Sequence, residues 1–136
     1  MKAKIITAGL SGAIAVALGA LGAHFLKAKM NAGLITADQL AGFETGVRYH
    51  MYHTIAMLAL LVWSSRQPGK WLDWAYACFF WGIVLFSGSL YALCTRGLSG
   101  AEWLKVMGPV TPLGGVVLIA GWVLVAIHGI KIQKQD

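Results

Sequence analysis

The densest group of chemically capable side chains lies between residues 43 and 61. This stretch places a carboxylate, a guanidinium, two imidazoles and two phenols in an otherwise apolar region. Such groups are costly at membrane depth unless they are paired or functional, so the stretch is the first place to expect a site. They belong to Glu44, Arg48, Tyr49, His50, Tyr52 and His53.

On a helix these side chains divide between two faces. Glu44 and Arg48 are four residues apart, which predicts an ion pair, and Tyr52 continues their face. We expect this pair to anchor the helix at the membrane interface, with an anionic-ligand anchor or a proton path as the alternative. The opposite face, which we expect to turn into a bundle, carries Gly46, Tyr49, His50, His53 and Met57.

Three histidines form the main candidate constellation. His24 ends the first apolar run near the point where the next begins, so we expect it at the depth of His50 and His53. Imidazoles bind transition metals and haem iron, and they relay protons. The His-x-x-His spacing differs from that of a zinc protease helix, and no cysteine lies nearby. Structural hydrogen bonding therefore ranks first, a ligand or cofactor site second, and proton or small-solute transfer third.

Four hydroxyl side chains are predicted near the same membrane side, because the third run ends and the fourth begins there. A serine nucleophile needs an activating base and an oxyanion hole, and neither a nucleophile-elbow motif nor an acidic third member is present. We therefore expect no catalytic residue, and we expect His128 to be interfacial and unrelated. The four hydroxyls belong to Ser87, Ser89, Tyr91 and Thr111.

The composition indicates a membrane protein. The 136 residues are 58% hydrophobic and 12% charged, against roughly 25% charged in an ordinary soluble domain. The net charge of +6 is carried by connections and tails, as in membrane proteins, so nucleic acid is not an expected partner. Cys78 and Cys94 would lie ~24 Å apart on a straight helix and cannot form a disulfide, so we expect buried thiols.

Apolar runs predict an all-α fold: one integral membrane domain over residues 1–136, a bundle of four transmembrane helices. Thr36 and Gln39 match a capping box, which predicts an interfacial amphipathic segment up to about Phe43. The helix then bends at Gly42 or Gly46, or runs straight on. The predicted spans are 5–26, 47–64, 74–94 and 113–130.

The first run resembles a signal peptide in its basic start, but its length of ~33 Å favours a retained span. A polar connection is predicted over residues 27–35, and a turn over 66–70. We expect residues 87–89 to interrupt the third span and a short helix around 101–107. Small residues predicted to pack closely between helices are Ala8, Gly12, Ala15, Gly19, Ala23, Gly114, Gly115 and Gly121.

Positive charge gives a slight orientation signal. With four spans, Lys and Arg divide six to five between the two sides, which predicts cytoplasmic termini in a cell (plasma or inner) membrane. The side with six carries both termini. Its residues are Lys2, Lys4, Arg66, Lys70, Lys131 and Lys134.

The sequence resembles the small four-span membrane proteins of domain of unknown function 423, and animal transmembrane protein 256 is similar. The resemblance rests on residues 17–24, 43–53, 85–91, 111–115 and 120–122, in order along nearly the whole chain. It implies a four-helix membrane protein, in bacteria at the cell membrane, with no assigned biochemical activity. Position 50, here His50, is often glutamine in that family. The shared positions that the resemblance implies are His24, Thr45, Gly46, Tyr49, His53, Ser87, Gly88, Ser89, Tyr91, Thr111, Pro112 and Gly114.

Three hypotheses follow for function. The first is a non-enzymatic structural, assembly or interaction protein of the membrane, without a cofactor, whose partners are the lipid bilayer and a second copy or another membrane protein. The second is a ligand-handling protein that binds a metal, haem, quinone or lipid through the His/Tyr/Ser cluster at one interface. The third is a small-solute or proton transporter, which requires an oligomer because four short spans leave little room for alternating access.

Overall fold

The computed structural model describes residues 1–132, and all regular secondary structure in that range is helical. This confirms the all-α prediction. Lys134, counted above among the positive charges, lies outside the described residues. The long helices are α1 (Lys2–Asn31), α2 (Ala37–Arg66), α3 (Lys70–Ser99) and α4 (Val110–Ile132), with a 3₁₀ helix over Glu102–Met107.

Three helical segments are long and apolar enough to cross a membrane. They are α1, α3, and α4 together with the 3₁₀ helix before it, with mean hydropathies of 1.9, 1.8 and 2.3. These three segments fit a multi-pass membrane protein. α2 is also 30 residues long, but its polar stretch keeps it outside this group.

The first connection is shorter than predicted. α1 continues through Lys27–Asn31, so residues 27–35 are not one polar loop. A π-helical segment over Gly22–Leu26 does not break α1. The chain leaves the helix only before Gly33, whose φ of 73° is the left-handed conformation that favours glycine. The chain therefore turns only between Ala32 and Thr36, and α1 and α2 pack as an antiparallel pair.

The small-residue stripe of α1 packs on α2. Ala8 and Ala15 are fully buried, and a Cβ at Gly12 or Gly19 would contact α2. The stripe then continues at Gly22 rather than at the predicted Ala23, which is exposed. The inward positions advance by alternating steps of four and three residues, which keeps a row of side chains against a neighbouring helix.

α2 begins at the predicted capping box. The Gln39 backbone N–H donates to Thr36 Oγ1 at 3.1 Å, and the Thr36 N–H donates to Gln39 Oε1 at 2.9 Å. The helix then runs on to Arg66 without a break. Gly42 and Gly46 are sites of close approach to α3 instead, since a Cβ there would lie 2.7 Å from Cys94 Sγ and 2.9 Å from Tyr91 Cε1.

The other predicted irregularities are present in modified form. The turn between Arg66 and Lys70 is confirmed. The interruption expected at residues 87–89 is a π-helical segment over Ile83–Ser87, and the short helix expected at 101–107 is the 3₁₀ helix. A π segment inserts a residue without breaking the helix, so α3 stays continuous.

α3 and α4 approach most closely at glycines of α4. A Cβ at Gly114 would overlap the backbone nitrogen of Phe86, and one at Gly121 would lie 2.5 Å from the Phe79 ring. Gly115 has ordinary room, 3.7 Å from the Phe86 ring. The packing prediction therefore holds for Gly114 and Gly121.

Both cysteines are free thiols, Cys94 buried and Cys78 half-buried.

Candidate functional site

His50 and His53 lie at the centre of α2 rather than near the end of a span. The helix covers Ala37–Arg66, so its midpoint falls between Met51 and Tyr52. Each imidazole is only 5% exposed. The sequence predicted these histidines near the start of a span at residue 47, but the capped helix begins ten residues earlier, so they lie near its middle.

Both ring nitrogens of His53 are occupied. Nδ1 lies 2.7 Å from the carbonyl oxygen of Tyr49, which only accepts, so Nδ1 carries the proton and donates. Trp122 Nε1–H donates to Nε2 at 3.2 Å. The imidazole is therefore neutral with a fixed tautomer, and it joins α2 to α4. Aromatic rings surround it, with centroids 5.3 Å away for Phe79 and 6.1 Å for Trp122.

His50 sits in a chain of hydroxyl groups. Its Nε2 lies 3.0 Å from Ser11 Oγ, and its Nδ1 lies 3.1 Å from Tyr91 Oη. Ser11 Oγ also lies 2.7 Å from Thr54 Oγ1. A hydroxyl can donate or accept, so either tautomer of His50 is satisfied. We call Thr54, Ser11, His50 and Tyr91 the hydroxyl chain; it connects α1, α2 and α3.

The predicted serine and threonine hydroxyls lie between α3 and α4. Ser89 Oγ lies 2.7 Å from Thr111 Oγ1 and also donates to the Phe86 carbonyl oxygen at 2.9 Å. Ser87 is fully buried. The structure thus brings Ser89 to Thr111 and Tyr91 to His50, as two separate contacts rather than one cluster.

His24 does not join the other histidines. Gly19 faces Val47 and Gly22 faces Phe43, so His24 is level with residues 41 and 42, about 12 Å along the axis from His50. Its side chain is exposed. The predicted three-histidine constellation was wrong, because α1 extends to Asn31 and this extension sets the register of the antiparallel pair.

Glu44 and Arg48 do not form the predicted ion pair. Both are exposed, and Arg48 Nη2 donates to Thr45 Oγ1 at 3.2 Å instead. The hydroxyl one turn earlier accepts one hydrogen bond from the guanidinium, although the spacing also permits the ion pair. Within residues 1–132 the ion pairs are Lys4–Asp73 at 2.5 Å and Lys105–Glu102 at 2.7 Å.

Sequence reasoning missed three members of the interior network: Ser11, Thr54 and Trp122. Thr54 is four residues after His50 and hence on its face, which is a usable signal. Trp122 stands near the middle of an apolar helix, whereas tryptophan in membrane proteins favours the ends. Ser11 gave no signal beyond being a hydroxyl in a run of small and apolar residues.

His128, expected at a membrane interface, is buried near the end of α4. It is 5% exposed, and its ring meets Trp63 edge-on with centroids 5.1 Å apart. It lines a surface cavity of about 480 Å³ beside the turn between α2 and α3, together with Lys70, Trp71 and Lys131. Its separation from the His50 and His53 contacts agrees with the expectation that it is unrelated to them.

Comparison with known proteins identifies relatives along almost the whole chain. Residues 18–115 match the family described as "Protein of unknown function (DUF423)". The UPF0382 inner membrane protein YgdD of Escherichia coli K12 is 38% identical over 131 residues, covering 96% of this chain and 92% of its own. The UPF0382 membrane protein YwdK of Bacillus subtilis is 36% identical over 138 residues, covering 96% and 98%.

The UPF0382 membrane protein SSP2132 of Staphylococcus saprophyticus is 37% identical over 134 residues, covering 97% of this chain and all of its own. No solved structure matches the chain significantly. The family resemblance read from the sequence is confirmed, and this chain belongs to the DUF423 family of membrane proteins.

Proposed function

We propose that this chain is a non-enzymatic, four-span protein of the cell membrane that serves a structural or assembly role. In this proposal its inward polar side chains hold the helices in one register, and its surface associates with other membrane components. The observation that carries the proposal is the double engagement of His53 by the Tyr49 carbonyl and the Trp122 indole.

The His53 geometry favours a structural role over a ligand site. A metal or haem iron binds an imidazole through a free ring nitrogen lone pair. Nε2 of His53 already accepts from Trp122, and Nδ1 already donates to Tyr49. Taking up a ligand or a second proton at Nε2 would break the bond between α2 and α4.

The inward polar groups support α2 as the fourth span. Its 30 residues reach about 45 Å, more than a hydrocarbon core requires. Polar residues are tolerated in a span when they face the bundle and have partners there. His50, His53 and Thr54 are buried and hydrogen-bonded.

With four spans, the slight excess of Lys and Arg on the terminal side supports cytoplasmic termini.

The contact between Ser11 and His50 is the arrangement nearest to a nucleophile and base, and it lacks the other parts of a hydrolase. The second nitrogen of His50 faces the Tyr91 hydroxyl rather than a carboxylate. The surrounding backbone belongs to the continuous helices α1 and α2, whose N–H groups donate to carbonyls. No donors remain there for an oxyanion hole.

The hydroxyl chain is the observation that would favour proton transfer. Its members can reverse their donor and acceptor roles, as a proton relay requires. Tyr91 is level with Gly46, so the chain runs only about 12 Å along α2, from residue 46 to residue 54. A hydrocarbon core is about 30 Å thick, so the chain favours a lock between helices over a transmembrane path.

The test compares His53→Ala with wild type and with His24→Ala, which alters an exposed histidine. We expect His53→Ala to lower the thermal denaturation temperature and His24→Ala to leave it unchanged. Absorption spectra, metal analysis and mass spectrometry of gently purified protein should show no stoichiometric species that depends on His53. A species present in wild type and His24→Ala but lost from folded His53→Ala would contradict the structural role.

A further inference from the structure

We propose that the outer face of α2 is the contact surface of a homodimer, in which Glu44 of each copy pairs with Arg48 of the other. The inference rests on the proposed four-span arrangement and names the partner of that assembly role. It starts from two charged side chains that are exposed on α2 and form no ion pair within residues 1–132.

These charges lie inside the depth of the hydrocarbon core. The apolar part of α1 ends at Leu26, and Gly22 faces Phe43, which places this boundary near residue 40 of α2. Cys94, shortly before Arg96 on α3, faces Gly42 and gives the same level. From there Glu44 is about 6 Å and Arg48 about 12 Å further along the helix axis.

Most of the remaining surface at this depth is apolar, and the exposed His24 of α1 lies near its edge. α1 exposes Leu21 and Phe25, and α4 exposes Leu113 and Val116. Only α2 turns charged groups outward here. A charged side chain in hydrocarbon is costly, and such groups face a partner or a polar cavity. Because Glu44 and Arg48 are not paired with each other in the structure, an oppositely charged partner at the same depth would lower this cost.

A second copy of this chain supplies that partner. Most homo-oligomers are twofold-symmetric, and a twofold axis along the membrane normal sets two α2 helices side by side in the same direction. Glu44 of each copy then lies about 6 Å in height from Arg48 of the other, which the long arginine side chain can span. Two ion pairs form and no charge is left over. An anionic lipid headgroup would neutralise Arg48 but would repel Glu44.

A recess beside the two charges supports this contact. It has a volume of about 270 Å³ and lies between α1 and α2. On α1 it is lined by Gly19, Gly22 and Ala23, whose small size leaves this space. Phe43 and Val47 form its floor on α2. The recess can receive a side chain of the second copy.

The experiment measures energy transfer between copies labelled at the N-terminus in phosphatidylcholine vesicles, with and without phosphatidylglycerol, over a range of protein-to-lipid ratios. We expect wild type to dimerise in both lipids. Glu44→Arg alone and Arg48→Glu alone should each dimerise at least about tenfold more weakly. A mixture of the two variants should recover, because one copy carries two bases and the other two acids.

Matched controls keep the test clear. Glu102→Arg and Lys105→Glu make the same charge changes in an exposed ion pair away from α2, and they should leave energy transfer unchanged. Glu44→Gln with Arg48→Gln removes both charges without adding any, and should give folded monomer if the charge-reversal variants fail to insert.

Three outcomes would overturn the inference. The first is monomeric wild type at every ratio. The second is that the mixture of the two variants fails to dimerise, whereas a single chain that carries both Glu44→Arg and Arg48→Glu does dimerise. That result indicates that Glu44 and Arg48 pair within one chain. The third is association confined to vesicles with phosphatidylglycerol, which indicates a lipid contact. The His53→Ala result does not depend on dimerisation, so each proposal can fail without the other.

Discussion

The inner and outer faces of α2 both carry polar side chains, but they differ in whether these side chains have partners. Inside, His50, His53 and Thr54 are each hydrogen-bonded to another helix or to α2 itself. Outside, Glu44 and Arg48 lie on the surface without an opposite charge. Because a polar group in hydrocarbon must be compensated, the inner groups lock one chain, and the outer groups call for a second molecule.

Substitutions in the interior should lower the unfolding free energy most where two helix backbones are in contact. Gly114→Ala would place a methyl group against the Phe86 backbone, which cannot move aside as a side chain can. We expect a loss of about 3 kcal/mol or more in unfolding free energy, at the upper end for overpacked cores. Denaturation in detergent should show this. Gly115→Ala, with 3.7 Å of room to Phe86, is the control and should be close to neutral.

A smaller interior effect is expected from removing one donor. Trp122→Phe keeps an aromatic ring but leaves His53 Nε2 without its partner, which should cost about 1 to 2 kcal/mol. Trp103→Phe alters an indole that is 69% exposed and should change stability little. Equal stability of the two variants would show that the bond between α2 and α4 contributes nothing.

Removing one hydroxyl from the hydroxyl chain should lower the unfolding free energy less than removing the hydrogen-bond donor to His53. Tyr91→Phe removes one partner of His50, while Ser11 still bonds to the imidazole. We expect a loss of about 0.6 kcal/mol, the average for polar contacts between membrane helices. Tyr52→Phe, on the outer face, is the matched control. A loss above 2 kcal/mol from Tyr91→Phe would mean that the chain acts as one cooperative unit.

Substitutions on the outer face of α2 should change the unfolding free energy of the monomer least. Arg48→Gln removes a side chain whose hydrogen bond is to Thr45 on the same helix. Under monomeric conditions in detergent we expect a change within about 0.5 kcal/mol, as for surface substitutions. A large loss in the monomer would show that Arg48 stabilises its own bundle and would erase the difference between the two regions.

Local features were predictable because short-range chemistry sets them. The capping box at Thr36 and Gln39 and the Pro68-Gly69 turn follow from nearby residue types. The small size of Gly114 predicted close packing but not its contact with Phe86. Pairings between distant residues were not. The exposed His24 was expected beside His50, and Ser11 takes that place instead. The spacing of Glu44 and Arg48 permitted an ion pair, but it did not exclude the bond to Thr45.

By itself the sequence determined the membrane character, the helical class, the family and the helix ends at the Thr36 cap and the Arg66–Lys70 turn, because these depend on composition and on contacts within a few residues. Only the tertiary structure decided which polar groups meet. The register and rotation of one helix against another are set by many small packing contacts, such as Gly12 and Gly19 of α1 against α2. A shift of two turns in that register would exchange Ser11 for another partner of His50, and no pattern along the chain records which register is formed.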